Sequence, residues 1–156
     1  MGKENEKKFK IIGEIPFPLK KPELIEQGYI FVEKDKHLRV RIIHDVNGYV
    51  TPTLGLKFEN GKDIGRDEYE PIIQFTDAKE ILERCELRLE KIRNSYVMGL
   101  IKYDIDEYPN GLKIVEVEFE TQEAKDEWEK PNWIGDEISG VYKYSNITLA
   151  KKKLIF

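Results

Sequence analysis

A single cysteine, Cys85, and two histidines, His37 and His44, leave the chain without a disulfide framework or a His/Cys metal cluster. No apolar run approaches the roughly 18 residues of a membrane-spanning helix. The segment Met1 to Lys10 is polar and charged, without the apolar stretch of a secretory leader, so a cytoplasmic protein with no membrane association is expected. Positive charge is not in excess: 26 Lys and Arg stand against 30 Asp and Glu, a net of −4. General nucleic-acid binding, which depends on neutralising many phosphates, is therefore not expected. Low-complexity tracts are missing as well, with 11 Gly and 7 Pro dispersed along the chain. What is abundant is charge of both signs, at 36% of 156 residues. That length fits one domain, 1–156, able to bury a core.

Turn chemistry divides the chain. Asn47-Gly48, Asn60-Gly61 and Asn110-Gly111 each lie between β-rich stretches, the strongest short-range hairpin signal. They predict the strand pairs 37–44/49–59, 49–59/64–74 and 98–107/112–120. A turn at Asn94-Ser95 would join a strand at 88–93 to one starting near Val97. With an N-terminal strand at 3–12 and a late one at 136–144, about eight antiparallel strands result. Helices are expected just after Lys21-Pro22, from Asp77 through Leu89 behind an Asp77/Glu80 capping box, and over 121–129 behind Thr121.

Residues two apart on a strand share a face. On that basis Glu4, Glu6, Lys8 and Lys10 align, as do Arg39 with Arg41, Arg66 with Glu68 and Glu70, and Lys91 with Arg93. Asp104 and Asp106 align with Lys102, Glu116 aligns with Glu118, and Lys57 lies opposite Leu56 and Phe58. An open sheet with one solvated face accounts for any one of these strands. Its repetition on nearly every strand, in Glu, Asp, Arg and Lys alone, favours a sheet closed on itself around a wet, charged interior. Carboxylates gathered there, Glu4, Glu6, Glu116 and Glu118, imply a hard divalent cation, Mg²⁺ or Mn²⁺. Clustered guanidinium and ammonium groups imply a polyphosphate, and the two together a phosphoryl-transfer site.

These residues resemble the CYTH superfamily, the triphosphate tunnel metalloenzymes. Glu4-Asn5-Glu6-Lys7-Lys8 resembles its ExExK opening. Gln27-Gly28-Tyr29 resembles its QGY segment, Leu38-Arg39-Val40-Arg41 its LRVR strand, and Lys57 falls where its TxK lysine does. Arg66 to Glu70 resembles RxExE, Lys91-Ile92-Arg93 resembles KxR, and Asp106-Glu107-Tyr108 resembles the D-x-aromatic piece. Gly111-Leu112 with Glu116-Val117-Glu118, Pro131 to Ile138, and Tyr144-Ser145-Asn146 with Leu149-Ala150 complete the match over about 4–150. The resemblance implies a mainly β (α+β) fold, a closed eight-stranded antiparallel barrel with helices on its outside, and metal-dependent chemistry on a triphosphate. Gly55 stands where the family has Thr, and Pro52 interrupts the approach, so a bulge or edge segment is expected at 44–56.

The expected roles follow. Glu4, Glu6, Glu116 and Glu118 are metal ligands; Lys8, Arg39, Arg41, Lys57, Arg66, Lys91 and Arg93 hold the triphosphate; Glu68, Glu70 and Asp106 are tunnel acids. Lys8 and Tyr29 are the catalytic candidates, Lys8 readying the attacking water. Hydrolysis of tripolyphosphate or a nucleoside triphosphate is the leading reading. A class IV adenylate cyclase, a thiamine triphosphatase and a non-enzymatic triphosphate binder are the alternatives. His37 and His44 read as surface, Cys85 as core, Trp133 as structural and Lys151-Lys152-Lys153 as a solvated tail. Apolar residues on outer helices would suit a homodimer.

Overall fold

Alternating charged and apolar residues build an antiparallel sheet, as the period of two requires. The computed structural model describes residues 2–3, 5–59 and 66–156, with side chains over 5–58 and 67–156. In chain order the strands are β1 (Gly2–Lys3), β2 (Glu6–Ile11), β3 (Glu23–Val32), β4 (Lys36–His44), β5 (Val50–Glu59) and β6 (Arg66–Tyr69). Helix α1 (Phe75–Arg84) precedes β7 (Leu87–Met98), β8 (Ile101–Glu107) and β9 (Lys113–Phe119). Helix α2 (Gln122–Glu127), β10 (Ile134–Glu137), a 3₁₀ turn (Tyr142–Tyr144) and α3 (Asn146–Lys151) complete the described chain. The strands join one antiparallel sheet in the order β1-β6-β5-β4-β3-β7-β8-β9-β2-β10.

The expected eight-stranded closed barrel is corrected in two respects. The described residues form ten strands, and their ladder is not hydrogen-bonded into a closed ring. Strands near its two ends are nonetheless consecutive in the chain: β1, at one margin, pairs with β6 through Gly2 and Lys3, and β2, next to the β10 margin, pairs with β9 from Glu6 onward.

The Asn47-Gly48 and Asn110-Gly111 hairpins form, with Gly48 and Gly111 both at φ +85°, a conformation that suits glycine. The Asn60-Gly61 turn lies outside the described residues, although β5 and β6 do pair antiparallel. The helix expected after Pro22 is strand β3 instead. Its β-branched and aromatic residues, Ile25, Tyr29, Ile30, Phe31 and Val32, favour extension, and it is hydrogen-bonded on both sides, to β4 and β7. The break expected at Asn94-Ser95 is absent because both residues sit inside β7, paired with Ile105 and Asp104. The chain reverses instead at Gly99, φ +61°. The late strand ends at Glu137. Beyond it Ser145 caps α3, its hydroxyl accepting from the Thr148 amide at 3.1 Å. α2 starts behind Thr121 as expected, with that hydroxyl accepting from the Ala124 amide at 3.0 Å.

No bulge interrupts 44–56. The β4–β5 register runs unbroken from Lys36↔Phe58 to His44↔Val50. The Pro52 carbonyl accepts from Ile73 at 3.0 Å, so its missing N–H faces the same way, toward the sheet's short-strand side rather than β4. Gly55 lies opposite Arg39, and a Cβ there would stand 3.1 Å from the Arg39 Nε. The absent side chain is the space the guanidinium stem occupies.

Among the described residues three apolar clusters hold the sheet. Phe9, Tyr103, Ile105, Val115, Val117 and Phe119, which alternate with the charged residues, pack with Trp133 and Ile134. Val40 and Ile42 pack under Ala78 and Leu82 of α1. The third cluster joins Tyr29, Leu89, Tyr108 and Ile114 to Leu149 and Ala150 of α3. Because Tyr29 pairs with Arg39 and Ile114 with Asp106, this last cluster lies on the charged side of the sheet. One helix therefore plugs the concave side rather than packing outside.

Candidate active site

Side chains from β2 through β9 and from 138–147 line one cavity of about 1150 Å³. Glu68 of β6 and Glu6 of β2, near opposite margins of the strand order, both reach it, so the sheet is curled around the space. The walls differ in sign. Arg39, Arg41 and Lys57 on β4 and β5 form a basic wall; β2, β8 and β9 form a mainly acidic one, Glu6, Asp104, Glu116 and Glu118 with Lys8 and Lys102 among them.

On the basic side, Arg39 Nη2 lies 3.2 Å from Glu68 Oε1 and 3.8 Å from Glu70 Oε2. Arg41 Nη1 is 3.9 Å from Glu70 Oε1, which also accepts from the Thr53 hydroxyl at 3.0 Å. Burial lowers the Arg41 pKa to about 10, with Arg39 and Arg93 adding to the effect, yet Arg41 stays charged near neutrality. Burial would raise Glu70, but Arg41 and Arg39 hold it below the usual carboxylate range.

A tighter network stands across the cavity. Asp106, fully buried, accepts two hydrogen bonds from Arg93, at 2.7 Å from Nε and 2.8 Å from Nη2, and one from Lys91 Nζ at 2.8 Å. Arg93 Nη2 also reaches Glu116 Oε2 at 3.3 Å, and Lys8 Nζ lies 3.7 Å from Glu116 Oε1. Burial would lower Arg93, but Asp106, Glu116 and Asp104 hold it well above its ordinary value. Burial would likewise raise Glu116, and Arg93, Lys8, Lys91 and Lys57 together pull it well below.

Of the residues singled out in the sequence, Glu6, Lys8, Tyr29, Arg39, Arg41, Lys57, Glu68, Glu70, Arg93, Glu116 and Glu118 all line the cavity. Lys91 and Asp106 are absent from its wall; both are fully buried behind Arg93. Glu4 and the Arg66 side chain lie outside the described residues. Asp104 and Lys102 line the cavity although they were given no role, and their alternation with Asp106 was the signal that could have found them. His37, expected at the surface, faces the cavity beside Tyr29 with ring centres 5.9 Å apart. The wall formed by Ser139 and Tyr142 comes from chain that was expected to be a strand, and Asn146 at the start of α3 extends it.

The carboxylates of Glu6 and Glu118 that line the cavity are hard oxygen donors, of the type a divalent cation takes. Glu6 and Glu118 are cross-strand partners, two like charges directly opposite, an arrangement that disfavours the sheet unless cations stand near. Among the described residues no group of three or more His, Cys, Asp or Glu is placed to hold a metal ion. Mg²⁺ is commonly held by one or two carboxylates together with substrate phosphates, so a carboxylate pair is a suitable half-site.

A curled antiparallel sheet gathering basic and acidic walls around one cavity defines the class, a β protein with an ionic interior. No family model matches the chain. It is 40% identical to an inorganic triphosphatase of Acetivibrio thermocellus, over 97% of this chain and 95% of the relative. It also resembles the crystal structure of the inorganic triphosphatase NE1496, with TM-score 0.65 and 29% identity over 97% and 96% of the two chains. A conserved hypothetical protein from Pyrococcus furiosus shares the fold, with TM-score 0.59 and 21% identity over 85% and 94%. The chain belongs to the CYTH family of triphosphate tunnel metalloenzymes.

Proposed function

We propose that this chain hydrolyses a triphosphate, tripolyphosphate or a nucleoside triphosphate, inside a tunnel that its N-terminal segment closes, with Mg²⁺ or Mn²⁺ as cofactor. The observation that carries the reading is the placing of a basic and an acidic wall across one cavity. The printed name of the 40% identical relative agrees with it.

Arg39, Arg41, Lys57 and Arg93, with Arg66, hold the phosphate oxygens and stabilise charge as the terminal phosphoryl group transfers. Lys8 orients the incoming water, whose oxygen bonds to the terminal phosphorus as the phosphoanhydride P–O bond breaks; diphosphate leaves from tripolyphosphate, or the nucleoside diphosphate from a nucleoside triphosphate, and the water's proton passes to the phosphate product or solvent. Tyr29 contributes a hydrogen bond to the anion. Glu6, Glu116 and Glu118, with Glu4, would hold the divalent cation, which when bound neutralises phosphate charge and polarises the reacting group. Glu68, Glu70 and Asp106 keep the cations at fixed positions. A cytoplasmic location and a homodimer belong to the same proposal; light scattering on the purified protein decides the second.

The test is a panel of tripolyphosphate, ATP, GTP and thiamine triphosphate, assayed with Mg²⁺ and with Mn²⁺ while free phosphate and cyclic AMP are followed. Metal-dependent phosphate release from tripolyphosphate or a nucleoside triphosphate is expected. Cyclic AMP as the product of ATP would replace the reading by a cyclase, and preference for thiamine triphosphate by a thiamine triphosphatase. Tight triphosphate binding without turnover would make the protein a binder.

A further inference from the structure

Gln27 has no exposed surface and sits between two groups that face the cavity. Arg41 Nε donates to its Oε1 at 3.1 Å, and its Nε2 donates to the Tyr29 hydroxyl oxygen at 3.1 Å. The direction of both bonds is forced by chemistry. A guanidinium can only donate, so the amide must turn its oxygen to Arg41. Its NH₂ is then left for Tyr29, whose oxygen must accept. The phenol proton therefore points away from Gln27, and Tyr29 lines the cavity.

We infer that Gln27 is the positioning residue that fixes Tyr29 as a hydrogen-bond donor to the triphosphate and orients Arg41 beside it. The inference rests on the triphosphate reading of the cavity. Gln27 touches no substrate; it acts by excluding the alternative in which the phenol donates inward. A carboxylate in its place would accept from both neighbours and turn the Tyr29 proton away from the anion.

The test is a double-mutant cycle on kcat/KM for tripolyphosphate, with calorimetric tripolyphosphate binding measured on the same proteins. Losing a hydrogen bond to a charged group costs on the order of tenfold or more, so Tyr29→Phe should lower kcat/KM by about that factor. Gln27→Glu should lower it comparably, and Tyr29→Phe added to Gln27→Glu should cost almost nothing further. Gln27→Met removes the amide without supplying an inward acceptor, so Tyr29→Phe should keep its full cost there. Should Gln27→Glu not fold, Arg41→Met supplies the same test, because it frees the amide to flip and Tyr29→Phe should then cost several-fold less than in the parent. Multiplicative losses in the Gln27→Glu or Arg41→Met cycle, or a Tyr29→Phe cost that vanishes in Gln27→Met, would overturn the inference while the parent remains active. A parent that neither turns over nor binds tripolyphosphate would overturn the triphosphate reading, and the inference with it.

Discussion

Lys91 and Asp106 have no exposed surface, and the ammonium lies 2.8 Å from the carboxylate. Asp106 is the hub, since it satisfies Lys91 and both donors of the Arg93 fork. Removing it takes from buried Lys91 its carboxylate at 2.8 Å and leaves Arg93 only Glu116 and Asp104, and breaking a buried pair in this way costs about 3–5 kcal/mol. Asp106→Ala should therefore lose stability of that order in urea denaturation, whereas Lys91→Met, which leaves Asp106 on Arg93, should lose less. Equal losses would show that Asp106 is not the hub. Burial lowers the Lys91 pKa from 10.5 to about 8, with Asp106 opposing and Arg93 reinforcing the shift. Between those values the unfolded chain binds the extra proton, so this residue's contribution to stability rises with pH across 8 to 10.5. The stability of the parent minus that of Lys91→Met should climb over that window; a flat difference would contradict the shift.

At the scale of elements, Gly28 sets how closely α1 approaches β3. A Cβ there would meet the Cys85 Cβ at 2.7 Å and its Sγ at 2.8 Å. Gly28→Ala should cost roughly 1–3 kcal/mol by overpacking, read as a lowered urea midpoint with an unchanged slope. No loss would mean that the helix end yields freely. Which elements were legible in the sequence follows from where their causes lie. The hairpins at Gly48 and Gly111 carry their turn chemistry locally and were read directly. Strand β3 owes its extension to pairing with β4 and β7, neighbours remote in sequence, so Pro22 and the mixed residues after it read as a helix start. Asn94-Ser95 has turn chemistry but is held straight by β8. Among site residues, alternation identified the face of Arg39, Arg41, Glu116 and Glu118 correctly. It reports a face and not a depth, which is why Lys91 could not be distinguished from the cavity wall. His37 lies two residues before Arg39 and so on the same face by the same alternation, a signal that its reading as a strand-end surface residue passed over.

Over the whole molecule, the curled sheet brings walls of opposite sign to one cavity, while apolar clusters behind each wall fix their separation. Neither wall suffices alone in this account: the basic one holds an anion and the acidic one accepts a cation that the anion completes. The most direct measurement is the initial rate of phosphate release from tripolyphosphate against Mg²⁺ or Mn²⁺ concentration, in the parent and in Glu6→Gln/Glu118→Gln. The account expects release that requires metal in the parent and falls by at least about a hundredfold in the variant, the loss typical of a transition-state electrostatic group. Release that persists in the presence of a chelator, or is unchanged in the variant, would contradict it.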